Sequence, residues 1–297
     1  MTPKDRVYAK APAALGWTEP SWAFWGAAFG ANARLEGDVL VGSHDVTSRI
    51  FGGAAGAEYL MSPNSKIGLA FAGGTTDYSL ANNFGSGRSD FVQGSLYSKT
   101  YFGPAYLTAA LAAGAQWVKS NRTVVAGPAL DALVASFTMP TLASRLETGY
   151  RFGAPYAGFT PYGAVQTQTA FLPAYVETAT FGAGATANAV APHDATSIRS
   201  ELGAWADTWI GTSILLRARA AWIHEFTRDT IVSAQFAVLP GTTFAVSGAQ
   251  RPVDAALVSG VIEVPLTSYL TLSGKFDGEF GRGATALAGA GQLRWSW

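Results

Sequence analysis

The residues with the clearest potential for chemistry are three histidines, each followed directly by an acidic residue. They form the pairs His44-Asp45, His193-Asp194 and His224-Glu225. A histidine that is oriented by a carboxylate and placed beside a serine is the constellation of a hydrolase. Adjacent residues of a β-strand point to opposite faces, so Glu225 cannot orient the ring of His224 if this segment is a strand.

The histidines are also explained without catalysis. His224 lies two residues from both Trp222 and Phe226, so in a strand the three side chains point to the same face. This predicts a place for His224 at the rim of an apolar outer face. His44 and His193 fall in predicted loops, where polarity alone accounts for them. Three distant histidines without any cysteine make no metal site. We therefore predict no enzyme activity, metal or cofactor, and keep a hydrolase that uses His44 or His193 with a loop serine as an alternative.

A second set of residues consists of charges of both signs that alternate with apolar residues along several segments. Arg145 and Glu147, for example, oppose Leu142 and Leu146. This alternation predicts a charged face lining a pore, where the charges either solvate the lumen or hold a pore segment by ion pairs. The predicted pore-lining residues are Arg145, Glu147, Arg151, Arg199, Glu201, Asp207, Arg217, Arg219, Glu225, Lys275, Asp277, Glu279 and Arg294.

The elements that must position these residues are strands, because the alternation has period two over most of the chain. Turn-forming residues bound twelve candidate strands. They cover 21–33, 48–61, 65–78, 87–101, 105–118, 134–152, 158–173, 196–209, 213–227, 253–266, 269–281 and 284–297. The sequence therefore predicts an all-β chain with twelve antiparallel strands.

The connections between these strands alternate in length. Ser62-Pro63-Asn64 and Gly103-Pro104 are short, whereas 119–133, 174–195 and 228–252 are long. Short turns at one end and long loops at the other are typical of outer-membrane barrels, with the short turns periplasmic and the loops extracellular. An even number of strands places both termini on the periplasmic side.

Composition supports a membrane barrel. Charged residues make up 13% of the chain, about half of the roughly 25% usual in soluble domains. The chain has 20 basic and 20 acidic residues, so we expect no nucleic-acid partner. The last strand carries Leu293, Trp295 and Trp297 on one face, which predicts contact with lipid and a terminal signal for the outer-membrane assembly machinery. We expect the barrel to be monomeric.

The amino-terminal residues differ from the rest. Met1-Thr2-Pro3-Lys4 is followed by further charge and no apolar segment, so no signal peptide is evident. We expect either an export signal upstream or a chain that is the carboxy-terminal piece of a longer protein.

Several stretches resemble the carboxy-terminal translocator domain of bacterial autotransporters, the type V secretion proteins of Gram-negative bacteria. They are WAFWGAAFGANARLEGDVLVGSHDVTSR at 22–49, GRSDFVQGSLYSK at 87–99, LASRLETGYRF at 142–152, SIRSELGAW at 197–205, LRARAAWIHEF at 216–226, VSGAQRPVDAALVSG at 246–260 and LRWSW at 293–297.

The resemblance implies a twelve-stranded outer-membrane barrel whose pore is crossed by a helix leading from an upstream passenger. On this basis residues 1–20 are expected to be a linker with a short remnant of the pore helix, and 21–297 the barrel domain. The implied function is to anchor and export an amino-terminal passenger that this chain lacks. A porin-like outer-membrane channel is the first alternative, and the barrel hydrolase is the second.

Overall fold

Twelve long strands dominate the computed structural model, which describes residues 22–296 except 39, 41, 127–128, 155, 212, 229–230 and 240, with the side chains of 126, 129 and 228 also undescribed. In chain order they are β1 (Trp22–Leu35), β2 (Val46–Ser62), β3 (Ser65–Leu80), β4 (Gly85–Phe102), β5 (Ala105–Ala126), β6 (Ala129–Tyr150), β7 (Ala157–Leu172), β8 (His193–Ile210), β9 (Ile214–Arg228), β10 (Asp254–Pro265), β11 (Leu270–Gly281) and β12 (Ala284–Ser296). The prediction of twelve antiparallel strands is confirmed.

The strands close into a barrel. Each long strand pairs antiparallel with the next in sequence, and β12 pairs with β1 from Ala23↔Ser296 to Leu35↔Ala284. Closure pairs the first strand with the last, so the wall has no terminal strand with a free edge. In the part of the chain that the structure describes, no helix is long and apolar enough to cross a bilayer.

The outer face of the wall is apolar. In β12 the side chains of Leu287, Leu293 and Trp295 are exposed, whereas Ala288 and Arg294 on the other face are partly covered. Large exposed apolar residues recur around the wall, as at Phe71, Leu111, Leu146, Phe159, Leu202 and Phe276. A soluble protein buries such residues, so this surface fits contact with lipid chains.

Turns and loops divide between the two ends as predicted. Gly103 and Gly211 sit in short turns with φ of +62° and +58°, a conformation that glycine adopts without steric cost. The opposite end carries 36–45, 81–84, 173–192 and 229–253. Both described ends of the chain lie on the short-turn side, because β1 and β12 begin and finish there.

Three predicted loops are more ordered than the sequence indicated. Residues 119–133 were expected as a loop, but β5 and β6 continue as a paired hairpin to Ala126 and Ala129. Side chains still alternate between the two faces there, but outward residues such as Lys119 and Asn121 are polar. The alternation of apolar and polar residues that marks the other strands is therefore not visible in this part of the sequence. The loops at 174–195 and 228–252 contain short strands: Tyr175–Val176, Thr178–Phe181, Asn188–Val190, Ile231–Phe236 and Phe244–Ser247.

Three expectations fall outside the described residues. These are the linker and the helix remnant at 1–20, and the final residue Trp297.

Candidate functional site: the barrel lumen and its cap

Ion pairs between strands that are not neighbours identify the interior of the barrel. Arg145 of β6 donates to Glu201 of β8 at 2.7 Å, although β7 lies between these strands. Arg199 of β8 reaches Glu279 of β11 at 3.3 Å, past β9 and β10. Such strands can be bridged only across the lumen, so the charged face is the inner one.

Glu201 lies at the centre of the charge network and is only 2% exposed. Arg145 donates to both of its carboxylate oxygens, and the guanidinium nitrogens of Arg199 and Arg219 lie 3.6 and 3.8 Å away. The Tyr162 hydroxyl adds a hydrogen bond of 3.3 Å. Removing one partner of a buried ion pair costs about 3–5 kcal/mol, because the remaining charge stays desolvated. The cluster is therefore a fixed part of the wall.

Arg219 connects this cluster to a second one around Asp277. The Arg219 guanidinium and the Lys275 ammonium lie 3.0 and 2.7 Å from the Asp277 carboxylate, and the Ser259 hydroxyl donates to it at 2.5 Å. The residues joined in this way form one connected set: Arg145, Glu147, Arg199, Glu201, Arg219, Lys275, Asp277 and Glu279.

A third cluster lies where the first and last strands meet. Glu58 of β2 accepts hydrogen bonds from Lys66 at 2.9 Å and from the Tyr97 hydroxyl at 3.1 Å, and Arg294 of β12 lies 2.7 Å away. Trp25 in turn donates to the Tyr97 hydroxyl at 2.9 Å. The sequence prediction included Arg294 but missed Glu58 and Lys66. Their strands carry too few charged residues to show that one face is charged and the other apolar.

The remaining predicted luminal residues lie apart from these clusters. Arg151 pairs with Asp207. Glu225 accepts a hydrogen bond from Ser197 at 2.9 Å. Arg217 packs its guanidinium 4.7 Å from the centre of the Trp205 ring.

Aromatic rings on the inner face lie over glycines of neighbouring strands. A Cβ at Gly68 would come within 2.3 Å of the Tyr97 ring, and one at Gly149 within 2.7 Å of the Tyr106 ring. The positions of these glycines were not predicted from the sequence. The absent side chain leaves room for the rings to lie against the wall.

The extracellular end of the lumen is covered by a small four-stranded sheet, here called the cap. Its strands run in the order 244–247, 231–236, 188–190 and 175–176. Arg122 of β5 ties the cap to the wall: its guanidinium donates to Glu177 at 2.9 and 2.5 Å and to the Thr186 carbonyl at 2.8 Å. Tyr175 stacks on Phe137 of β6 with ring centres 4.5 Å apart.

Asp131 gives the cap loop a second attachment. Its carboxylate accepts hydrogen bonds from the Thr186 amide and hydroxyl at 2.9 and 2.8 Å and from the Gly184 amide at 2.9 Å. Asp131 lies roughly 60 Å along β6 from Tyr150 at the periplasmic end, so it is beyond the bilayer. The hydrogen bonds from Thr186 and then Gly184 hold the pKa of Asp131 below its ordinary value.

Several residues near the extracellular end are fully buried. Leu133 of β6 and Ile223 of β9 point inward near the extracellular end, yet are 1% and 0% exposed. Cap residues Val190 and Ala234 are buried as well. Deeper in the barrel a cavity of about 490 Å³ remains beside Arg145, Arg199 and Lys275.

The family described as "Autotransporter beta-domain" matches residues 24–277. The chain belongs to this family. No curated protein matches it at a significant level.

Solved structures agree on the fold of this autotransporter β-domain. The translocator domain of NalP from Neisseria meningitidis has a TM-score of 0.74 at 10% identity, covering 95% of this chain and 90% of that one. The β-domain of BrkA from Bordetella gives 0.61 at 14% identity, with 93% and 100% covered. The transport unit of AIDA-I from Escherichia coli gives 0.55 at 13% identity, with both chains fully covered.

The autotransporter β-domain is thus an outer-membrane translocator barrel, as the resemblance implied. Its histidines are dispersed: His44 stacks on Phe84 at 4.2 Å, His193 opens β8 and His224 lies on the outer face of β9. His193 was expected in a loop, but it pairs opposite Leu172 of β7. The described residues contain no group of three or more potential ligands that could hold a metal ion.

Proposed function

We propose that this barrel holds an exported polypeptide segment in its lumen through the network around Glu201 and Asp277, and so provides the route for an upstream passenger. The observation that carries this proposal is a lumen lined by charges of both signs, joined by ion pairs across non-neighbouring strands. Ion-selective pores are lined by backbone carbonyls or by rings of charge of one sign. Charges of both signs, held in fixed positions by these pairs, can instead contact the varied side chains of a peptide.

The proposed transport needs no catalysis. Neither a nucleotide site nor a metal is required of the wall, because folding of the strands and of the passenger supplies the drive. The route would pass the 490 Å³ cavity and displace the cap, which is attached to the wall by hydrogen bonds, by the ion pair of Arg122 with Glu177 and by a stacked ring pair.

The test is surface display of a reporter fused with an export signal ahead of Met1. Glu201→Gln removes the central negative charge with little change in volume. The surrounding arginines then lose the carboxylate that fixes their positions, so they no longer hold the exported segment in a defined arrangement. We expect display to slow several-fold. Asp90→Asn, at an exposed outward acid, is the matched control and should display normally. Equal display by both variants, with both barrels folded, would count against a role for the lumen network.

The terminal strand is proposed to be recognised by the outer-membrane assembly machinery. Leu293 and Trp295 face outward and are exposed, as such a contact needs. Deleting Trp297 should block insertion into the outer membrane and leave delivery to the periplasm intact, which fractionation of cells would show. Normal insertion of the shortened chain would refute this part of the proposal.

A further inference from the structure

A serine, a histidine and an aspartate stand in one row on the outer surface of the wall. Ser200 of β8 is the direct partner of His224 in β9, and His224 is the direct partner of Asp254 in β10. Directly opposed residues of antiparallel strands have their Cβ atoms about 4.5–5.5 Å apart and point to the same side. The three side chains are therefore neighbours on one face, although they are far apart in sequence.

The contact between His224 and Asp254 fixes the protonation pattern of the ring. The Nδ1 atom of His224 lies 2.9 Å from Oδ1 of Asp254. A carboxylate only accepts hydrogen bonds, so Nδ1 must carry the proton that it donates. In the neutral ring Nε2 then keeps a lone pair and can act as a base. Ser200 is the neighbour of His224 by strand register; its hydroxyl makes no hydrogen bond to the ring in this structure, and the two must approach when substrate binds, as catalytic groups often do.

Aromatic neighbours hold the imidazole in place. Its centre lies 5.5 Å from that of Trp222 and 4.8 Å from that of Phe226, so the ring sits between two larger ones. The indole nitrogen of Trp222 also donates to Asp254 Oδ1 at 3.0 Å. Both the base and the carboxylate that orients it are thus fixed by side chains of the same face.

The backbone is irregular at the serine. The pairing of β8 with β9 shifts between Ile198 and Arg199, which leaves Phe226 as an extra residue in β9. A bulge of this kind re-aims nearby side chains and is over-represented beside active sites. Ser200 follows it by two positions on β8 and shares the outward face of Leu202.

The depth of the row matches the boundary of the outer leaflet. His224 lies ten residues above Ile214, the first residue of β9 at the periplasmic end. At about 3.3 Å per residue and a strand tilt near 40°, this is a rise of roughly 25 Å, the height of the apolar band of such barrels. Exposed Leu202, Phe226 and Val165 border the row with apolar surface.

We propose that Ser200, His224 and Asp254 form a hydrolytic site for acyl esters of outer-leaflet lipids, with Ser200 as nucleophile, His224 as general base and Asp254 as the residue that positions it. Apolar neighbours would hold the acyl chain while the ester group lies at the polar boundary. The site is on the outside of the wall, so it is independent of transport through the lumen.

The chemistry is acyl transfer to serine and then to water. His224 Nε2 takes the proton of Ser200 Oγ as Oγ bonds to the ester carbonyl carbon and the carbonyl electron pair moves to oxygen. When that pair returns, the bond to the alcohol breaks and the alcohol takes the proton from Nε2. Water attacks the acyl-serine in the same way, which releases the carboxylic acid and restores Ser200.

The test uses the folded full chain in detergent micelles with glycerophospholipid in one arm and lipid A in the other. Wild-type protein should release fatty acid in at least one arm and should be labelled at Ser200 by a fluorophosphonate. Ser200→Ala should lose both, with a fall in rate on the order of 100-fold or more. Ser86→Ala, at an exposed serine of β4 with no histidine partner in its register, should keep full activity.

The role of Asp254 is tested separately. Asp254→Asn should lower kcat with little change in KM, and Asp254→Glu should restore part of the rate, because a carboxylate rather than mere bulk is needed. Both variants must show the heat-dependent gel shift of a folded barrel. Folded wild-type protein that releases no fatty acid in either arm and takes no label, or a Ser200→Ala variant as active as wild type, would overturn the proposal.

Discussion

At the scale of single residues, placing the same side chain on the outer or the inner face of the wall changes the stability of the barrel by different amounts. Leu146 faces lipid on the outer face of β6, between the exposed side chains of Leu142 and Tyr150, within the apolar band. Ala112 of β5 points to the other face, next to Ala143 of β6. The apolar face cannot solvate a charge, whereas the lumen already contains acids that can pair with one.

We therefore predict that Leu146→Arg destabilises the barrel by about 2–4 kcal/mol, and that Ala112→Arg, which adds the same side chain to the lumen, costs less than half of that. Urea unfolding in lipid vesicles measures both. Equal losses would mean that the two faces have been exchanged.

Parity could predict the face of a luminal residue but not its partner. Arg145 and Glu201 were both placed on the charged face from their alternation, yet their contact across β7 depends on how far each strand is shifted along its neighbours. That stagger is a property of the closed barrel as a whole. The predicted set therefore contained both residues, and the sequence could not indicate that they touch.

At the scale of elements, a short hairpin turn determines the pairing register of the two strands that it joins, whereas a long loop does not. Ser200 and His224 are equally distant from the short turn at 211–213, so their opposition follows from that turn alone. Asp254 follows the long 229–253 connection, which leaves the register of β10 open. For this reason only Glu225 was considered as an acid for His224, and the contact with Asp254 was missed.

The short strands of the cap were missed for a related reason. Segments of two to six residues, such as Tyr175–Val176, are too short for a period to be recognised. Their pairing depends on contacts between two separate loops and with the wall, as in the hydrogen bonds of Asp131 with Thr186.

The cap should open in acid. The pKa of Asp131 is lowered in the folded state, so its contribution to cap stability is present above the unfolded value of 3.8. That contribution is lost as the pH falls through the lower folded pKa. We predict that single-channel conductance in planar bilayers is low at neutral pH and rises below about pH 4.

The variant Asp131→Asn is the companion to this measurement. An amide offers one acceptor oxygen where the carboxylate uses two, so the variant should conduct already at neutral pH. Asp90→Asn should behave as wild type. A high conductance of the wild type at neutral pH would instead favour a porin-like channel.

At the scale of the whole molecule, two requirements explain the composition. A closed wall removes sheet edges from the bilayer, and lipid contact places apolar side chains outside and charges inside. The chain can thus contain only 13% charged residues and still concentrate many of them in one network. The cap and the inward aromatic rings then fill much of the space that an unoccupied barrel would leave open.

The central claim is that this barrel carries a passenger outward, and protease accessibility of a reporter on intact cells tests it most directly. With an export signal and a reporter fused ahead of Met1, we predict that the reporter is cleaved by external protease while the barrel, checked by its heat-dependent gel shift, remains folded in the outer membrane. A reporter that stays protected in the periplasm beside a correctly folded barrel would contradict the account.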